Sequence, residues 1–357
     1  MDHRLRRARL ASRLVELGAD GFLLTRLPNV RYMTGFTGSN GQVLVTPDGA
    51  AFFTDGRYTE QARHEVLDLE SVTYLDGFLQ PMVDAARRLE VVRLGFESEG
   101  VTFRTYEDLR AAAKGIELVP VTGEVERQRW VKDPEELEAL ERAQGATDEA
   151  FAAVVGRLRD GVTERELAFE LEVEMRRAGA EGPAFDTIVA FGEDAAEPHH
   201  EPAGRTLSRG DVVKMDFGGL VDGYHADMTR TVAFGEPPAQ LRDVHDLVRS
   251  AQQAGIDAVR MGATGAEVDG AARDVIEGAG LGEHFTHGLG HGVGLEIHEG
   301  PRLRRGGDDV LPAGAVVTVE PGVYLPGVGG VRIEDMVLVM EDGRRALPRA
   351  PKDLAPA

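Results

Sequence analysis

Residues 212–234 read VVKMDFGGLVDGYHADMTRTVAF, and residues 316–340 read VVTVEPGVYLPGVGGVRIEDMVLVM. Each is a pair of apolar, β-branched runs divided by a glycine-rich turn, a pattern that predicts two strands. Each pair also carries two carboxylates, Asp216 with Asp227 and Glu320 with Glu334. A single aspartate near a turn is an ordinary solvated residue. Four carboxylates that interrupt four apolar strands are harder to explain as surface, because burying such a group is costly. Brought together without a cation they would have to protonate or separate. Divalent metal is the simplest remedy, and two M²⁺ ions balance four carboxylates.

Two predicted helices precede each strand pair, near 134–159 and 163–178 in one case and near 238–260 and 264–278 in the other. Asp133, Pro134, Glu135 and Glu136 form a helix start, and Thr163 with Glu166 forms a capping-box signature. Strands are expected near 185–191, 211–217, 224–233, 315–320 and 331–340. Residues 134–340 thus fall into two similar halves, each helices followed by antiparallel strands, whose carboxylate pairs can meet at a shared cleft.

Between the pairs lies HGLGHGVGLEIHE, residues 287–299, and four of the ten histidines fall between 284 and 298. Glycines at 288, 290, 292 and 294 disfavour a helical histidine pair and suit extended backbone lining a crowded site. A lone histidine is more often structural. Three within twelve residues, beside buried carboxylates, point to a site.

The N-terminal 120 or so residues alternate helical and strand-like segments, with strands at 21–25, 42–46 and 51–54 and a turn at Thr46–Gly49. The organisation expected is an α/β domain over 1–125, a polar linker over 126–134 and a second domain over 135–357. A length of 357 residues favours two domains over one. The formal charge of -21 argues against nucleic acid and anionic membranes as partners. No cysteine is present, which excludes disulfides, zinc-thiolate sites and cysteine nucleophiles. The basic N-terminus lacks a signal-peptide apolar core, and a cytoplasmic location is the expectation.

The carboxylate and histidine motifs resemble, in order and spacing, those of the pita-bread metallopeptidases that act on proline peptides, the prolidases and aminopeptidases P. TGFTGSNG (34–41) and FFTDGRYTEQA (52–62) are similar to the creatinase-type N-terminal domain of the same group. The fold class implied is α+β, a creatinase-like domain followed by a pita-bread catalytic domain of two pseudo-symmetric halves. The resemblance implies that Asp216 binds one metal, that Asp227 and Glu334 bridge both, and that His291 and Glu320 hold the second. Mn²⁺ suits such a ligand set, with Co²⁺ or Zn²⁺ as alternatives. Ions about 3.5 to 4 Å apart can turn a shared water into hydroxide. Glu320 resembles the family's general base, and His298 and His199 the residues that contact the substrate carbonyl and developing oxyanion. His287 and Arg332 resemble groups that orient ligands or substrate. His200 competes with His199 for its role, and His225 reads as structural.

The implied activity is hydrolysis of the bond before proline in small peptides by a homodimer. Xaa-Pro dipeptidase is favoured and aminopeptidase P is the alternative. Arg332, Arg26 and Arg31 are candidates to read a free proline carboxylate. Methionine aminopeptidase shares the metal set, but the N-terminal domain and the AEPHHEP segment (196–202) favour the proline-directed branch. A non-catalytic member of the fold would be expected to lack ligands that are all present here.

Overall fold

The computed structural model describes residues 1–355. The chain divides into two compact units, residues 1–129 and 130–357. In the first unit, β1 (Gly21–Leu24), β2 (Gln42–Thr46), β3 (Gly49–Asp55), β4 (Glu70–Tyr74), β5 (Arg93–Glu97) and β6 (Glu117–Val121) form one mixed sheet. Their order is β4-β3-β2-β1-β5-β6. The expected turn closes the β2–β3 hairpin, where Thr46 pairs with Gly49. Helices α1 (His3–Arg13), α2 (Leu27–Thr34), α3 (Thr59–Glu65), α4 (Leu79–Arg88) and α5 (Phe103–Ala112) accompany the sheet. The stretch expected as a polar linker, 126–134, is helical for most of its length, as α6 (Glu124–Trp130). Its polarity is that of a helix whose charges follow the dipole, with Glu124 and Glu126 first and Arg127 and Arg129 last.

In the second unit, α7 (Pro134–Val155) begins at a capping box of Asp133 with Glu136, and α8 (Glu164–Arg177) at one of Thr163 with Glu166. The strands that follow are β7 (Gly182–Pro183), β8 (Ile188–Phe191), β9 (Val212–Phe217), β10 (Gly219–Val221), β11 (Tyr224–His225) and β12 (Met228–Ala233). The second half repeats the theme. After α9 (Ala239–Ala258), α10 (Gly265–Gly278) begins at a capping box of Thr264 with Glu267. Strands β13 (Gly290–Gly292), β14 (Glu299–Leu303), β15 (Val316–Val319), β16 (Gly322–Leu325), β17 (Gly329–Arg332), β18 (Asp335–Met340) and β19 (Gly343–Ala346) complete it. The sheets run β12-β9-β8, β11-β10-β7, β14-β13-β15-β18-β19 and β16-β17.

Two expected strands prove to be broken, and at equivalent places. The run 224–233 is split into β11 and β12 by Ala226 and Asp227, and the run 331–340 into β17 and β18 by Ile333 and Glu334. A carboxylate at such a break turns out of the ladder instead of into the valine-rich core that packs Val317, Val319, Val337 and Val339. The halves are joined by hydrogen bonds between these regions. Glu334 N–H donates to Thr229 O at 3.1 Å, Thr231 Oγ1 to Arg332 O at 3.0 Å, and Arg332 N–H to Thr231 Oγ1 at 3.2 Å.

Behind this seam, Arg230 and Asp335 form a buried ion pair at 2.8 Å. Arg230 also donates to the carbonyls of Glu334 (2.5 Å) and Ala350 (2.9 Å), and Gln252 donates to Asp335 at 3.1 Å. Burial alone would raise the Asp335 carboxyl, but Arg230 and Lys352 reverse that and hold it below its ordinary value. Removing one member of a buried pair strands the other charge. Asp335→Ala is therefore expected to destabilise the protein by about 3–5 kcal/mol. The check is the denaturant midpoint at constant m-value, and an unchanged midpoint would refute it.

Candidate metal centre

The four carboxylates of the two halves face one cavity of about 300 Å³. All nine residues singled out from the sequence line it: His199, Asp216, Asp227, His287, His291, His298, Glu320, Arg332 and Glu334. Asp227, His291 and Glu334 each offer a ligand atom within 4.8 Å of one another.

His291 reaches this position because its strand lies unusually close to both neighbours. A Cβ on Gly290 would stand 2.0 Å from Thr318 O, and one on Gly292 2.0 Å from Gly300 O. Only glycine allows β13 to pass between β14 and β15 there. The ring is then set by two further contacts. The His291 backbone N–H donates to Thr318 Oγ1 at 3.0 Å, and Nδ1 lies 3.0 Å from Gly292 O. Burial pushes the imidazole down to about 3, so it is neutral, with its proton on Nδ1. Its Nε2 lone pair therefore faces Glu320 Oε1 at 3.4 Å and Asp227 Oδ2 at 3.6 Å, acceptor against acceptor.

The carboxylates are under the same pressure. Burial, then Glu334, Asp216 and Glu320, push Asp227 well above its ordinary range. Burial, then Glu320 and Asp216, do the same to Glu334. Burial pushes Glu320 up to about 8, with Arg332 pulling the other way. Asp216 Oδ1 and Glu334 Oε1 are buried with no hydrogen-bond partner. Orphaned carboxylate oxygens and an imidazole lone pair directed at the same space fit a hard divalent cation with oxygen and nitrogen ligands.

Arg332 is the guanidinium built into the centre. It pairs with Asp216 and donates to Thr229 Oγ1 at 3.0 Å, Tyr324 OH at 2.9 Å and Pro198 O at 3.2 Å. Tyr324, held protonated by burial that pushes it up to about 12, lies 2.8 Å from His287 Nε2. The hydrogen bonds run from Arg332 through the Tyr324 hydroxyl to His287, whose proton sits on Nδ1 against Gly288 O at 2.8 Å. His298 stacks edge-on against His291 at 4.5 Å and is exposed on the cavity rim, as is His199. His225 does not line the cavity, and its backbone N–H and its Nδ1 both lie 2.9 Å from Gly294 O. His200 does not line the cavity and engages Glu164 and Glu197 instead.

Residues 138–341 match metallopeptidase family M24, and residues 6–131 match the creatinase/prolidase N-terminal domain. The chain belongs to metallopeptidase family M24. It is 43% identical to an uncharacterized peptidase, YqhT, of Bacillus subtilis, over 95% of this chain and 96% of that one. Among solved structures it is similar to an Xaa-Pro dipeptidase from Bacillus anthracis, with 40% identity, TM-score 0.96 and 99% of each chain covered. It is also similar to an X-Pro aminopeptidase from Thermotoga maritima, with 38% identity, TM-score 0.89 and coverage of 98% and 99%. As an M24 protein it has the α+β architecture expected, with a creatinase-type N-terminal domain and a pita-bread catalytic domain.

The sequence reading missed part of this M24 site. Thr229 donates to Glu334 Oε2 at 2.7 Å, and Thr318 to Glu320 Oε1 at 3.3 Å. Both stand two positions from a cavity carboxylate, so strand alternation was the available signal. Tyr324 carries no such signal. Phe185, Ile188, Ile297 and Leu303 form apolar wall, and Arg302 and Arg304 add exposed guanidinium groups. Arg332, considered from sequence as a reader of the substrate carboxylate, is instead buried and occupied by protein partners. Arg26 is likewise engaged, by Glu126 at 2.6 Å.

A site in which carboxylates repel should bind cations at the folded state's advantage. Adding Mn²⁺ to chelator-treated protein is expected to raise Tm, corresponding to about 2.7 kcal/mol at a hundredfold excess over Kd. Glu334→Ala should abolish that rise, and a rise of equal size in the variant would refute the assignment.

Proposed function

We propose that this M24 enzyme hydrolyses the peptide bond before proline in small peptides, and that it is an Xaa-Pro dipeptidase. The observation that carries the chemistry is the convergence of Asp216, Asp227, His291, Glu320 and Glu334 on one cavity with ligand atoms left unsatisfied. Those five residues are the ones that would hold the divalent metal. When bound, divalent ions there would acidify a water and polarise the substrate carbonyl. Mn²⁺ is proposed because four carboxylates and one imidazole are a predominantly hard donor set.

The protein groups divide the remaining work. Glu320 takes the proton from the attacking water as its oxygen bonds to the carbonyl carbon. His199 and His298, on the rim, direct N–H groups at the oxygen that becomes negative. The C–N bond then breaks, and the proton on Glu320 passes to the proline nitrogen, which carries no hydrogen of its own. His287 and Arg332, linked through Tyr324, hold Asp216 and the cavity floor in place.

Substrate length is read from the walls. The cavity, at about 300 Å³, lies at the lower end of the usual range of roughly 300–1,000 Å³ for ligand sites. Phe185, Ile188, Ile297 and Leu303 suit a proline ring. Arg302 and Arg304, exposed at this cavity, are proposed to receive the free carboxylate in preference to Arg332 and Arg26, which are engaged by protein partners, and Arg31 stays a candidate. Similarity to the B. anthracis dipeptidase supports this choice, while similarity to the T. maritima aminopeptidase supports the alternative. A homodimer and a cytoplasmic location belong to the same proposal. The family resemblance supports the first. No helix among the described residues is long and apolar enough to cross a membrane.

Chelation is expected to abolish turnover and Mn²⁺ or Co²⁺ to restore it, and full activity in protein shown metal-free by elemental analysis would end the proposal. Glu320→Gln should lose catalysis with the fold intact. His298→Ala should keep its metal and lose kcat by about 10²-fold or more, whereas loss of metal at unchanged fold would move His298 into the ligand set.

Chain length is decided by a panel of Ala-Pro, Ala-Pro-Gly and Met-Ala-Ser with Mn²⁺ present. Ala-Pro is expected to exceed Ala-Pro-Gly in kcat/KM by at least about tenfold, which is roughly 1.4 kcal/mol of transition-state binding. Equal or better cleavage of the tripeptide would assign aminopeptidase P and leave the metal chemistry untouched.

A further inference from the structure

The segment from Phe191 to Ala203, which carries His199, is tied at both ends to one buried carboxylate. Glu164, whose side chain is fully enclosed at the start of α8, accepts from Phe191 N–H at 2.8 Å and from Ala203 N–H at 3.0 Å. Its Oε2 also takes His200 Nε2 at 2.9 Å, and the opposite ring nitrogen of His200 lies 2.9 Å from Glu197 Oε2. Each nitrogen faces a carboxylate oxygen, and a carboxylate only accepts, so the ring must donate from both sides. That makes it an imidazolium. Two other side chains hold the stretch between: Lys214 donates to Ala195 O at 3.1 Å and to Glu197 O, and Arg332 donates to Pro198 O at 3.2 Å.

Glu164, Asp194 and His200 are near enough to one another to suggest a second metal group. Their geometry opposes it. Both His200 nitrogens are engaged by carboxylate oxygens, and Glu164 Oε2 already takes His200 and Ala203 N–H, so the ring offers no lone pair to an ion. The metal centre differs in this respect, because its carboxylate oxygens are orphaned.

We propose that His200, as an imidazolium held between Glu164 and Glu197, is the positioning residue that presents His199 to the cavity. This rests on the reading of His199 as a group that meets the substrate oxyanion. The adjacent histidines then have opposite tasks. His200 turns inward and is almost enclosed, with 10% of its side chain exposed, while His199 turns out to the cavity rim. Burial alone would lower the His200 imidazole, but the hydrogen bonds to Glu197 and Glu164 outweigh it and hold the group above its ordinary value.

The test is a double-mutant cycle on the Mn²⁺-loaded enzyme with Ala-Pro as substrate. His199→Ala is expected to lower kcat by about 10²-fold, the scale of losing one oxyanion donor. His200→Phe keeps the ring volume but has no donors, and it should lower kcat by about tenfold with KM and bound metal little changed. If that protein does not fold, His200→Gln, which keeps one uncharged donor, is read instead and should show a smaller loss of the same kind. The double variant should be no worse than His199→Ala alone, because the two changes remove one interaction. Wild-type kcat in a folded His200 variant, or a His200 loss that adds in full to that of His199→Ala, would overturn the positioning role alone. Wild-type kcat in His199→Ala would overturn the oxyanion reading and this proposal with it.

Discussion

The second unit is organised around a repulsion. Asp227, Glu320 and Glu334 approach one another and the lone pair of His291 inside a cavity where Arg332, already paired with Asp216, is the enclosed guanidinium. A chain does not gather such groups for stability, since burial and like charge each oppose it. The surrounding structure must therefore determine their positions rigidly. It does so with short strands enclosed on both faces, with glycines that let backbone meet backbone, and with hydroxyls of Thr229 and Thr318 that each orient one carboxylate.

The two halves share this task almost symmetrically. In each, a capping-box threonine starts the second helix, and the same threonine forms an isolated bridge, Thr163 with Thr206 and Thr264 with Val310. In each, one carboxylate stands at the end of a fully buried strand and another in a break between two strands. The departures from symmetry hold the chemistry. The second half alone supplies the histidine strand β13, and the first half supplies the segment with His199. A strand pair with a carboxylate at its break is thus the repeated unit, and the imidazoles are additions peculiar to one half.

Much of this was legible because charge inside apolar strands is improbable without a reason. Asp216, Asp227, Glu320 and Glu334 stood out against valine-rich runs, and the glycine spacing of residues 288–294 pointed to extended backbone around His291. Helix starts were legible through local chemistry, as at Asp133 and Thr163. Breaks in strands were not, because Asp227 and Glu334 lie in runs whose composition continues across them. Tyr324, Phe185 and Arg302 were also invisible, since their roles come from tertiary neighbours far away in sequence. The same holds for Arg332: the resemblance marked it as an orienting group, but only the structure shows its guanidinium consumed by Asp216, Tyr324 and Pro198.

These differences in legibility follow the division of labour in the site. Metal-ligating groups must interrupt the core, so each leaves a mark in a strand's hydrophobic pattern. Walls that select a substrate are built of residues ordinary in their own segments, such as Ile188 near a strand end or Arg304 on an exposed turn. An apolar wall residue adds to the core pattern, and an exposed arginine matches the polar surface, so neither breaks a rule that could be read. On the function proposed, the chemistry of bond cleavage and the choice of peptide length therefore rest on different side chains. Change at Arg302 or Arg304 need not disturb the carboxylates, whose positions are fixed by the strand pairs and by Thr229 and Thr318. A dipeptidase from B. anthracis and an aminopeptidase from T. maritima share this fold at similar identity, which accords with the proposal that length selection and cleavage use separate groups.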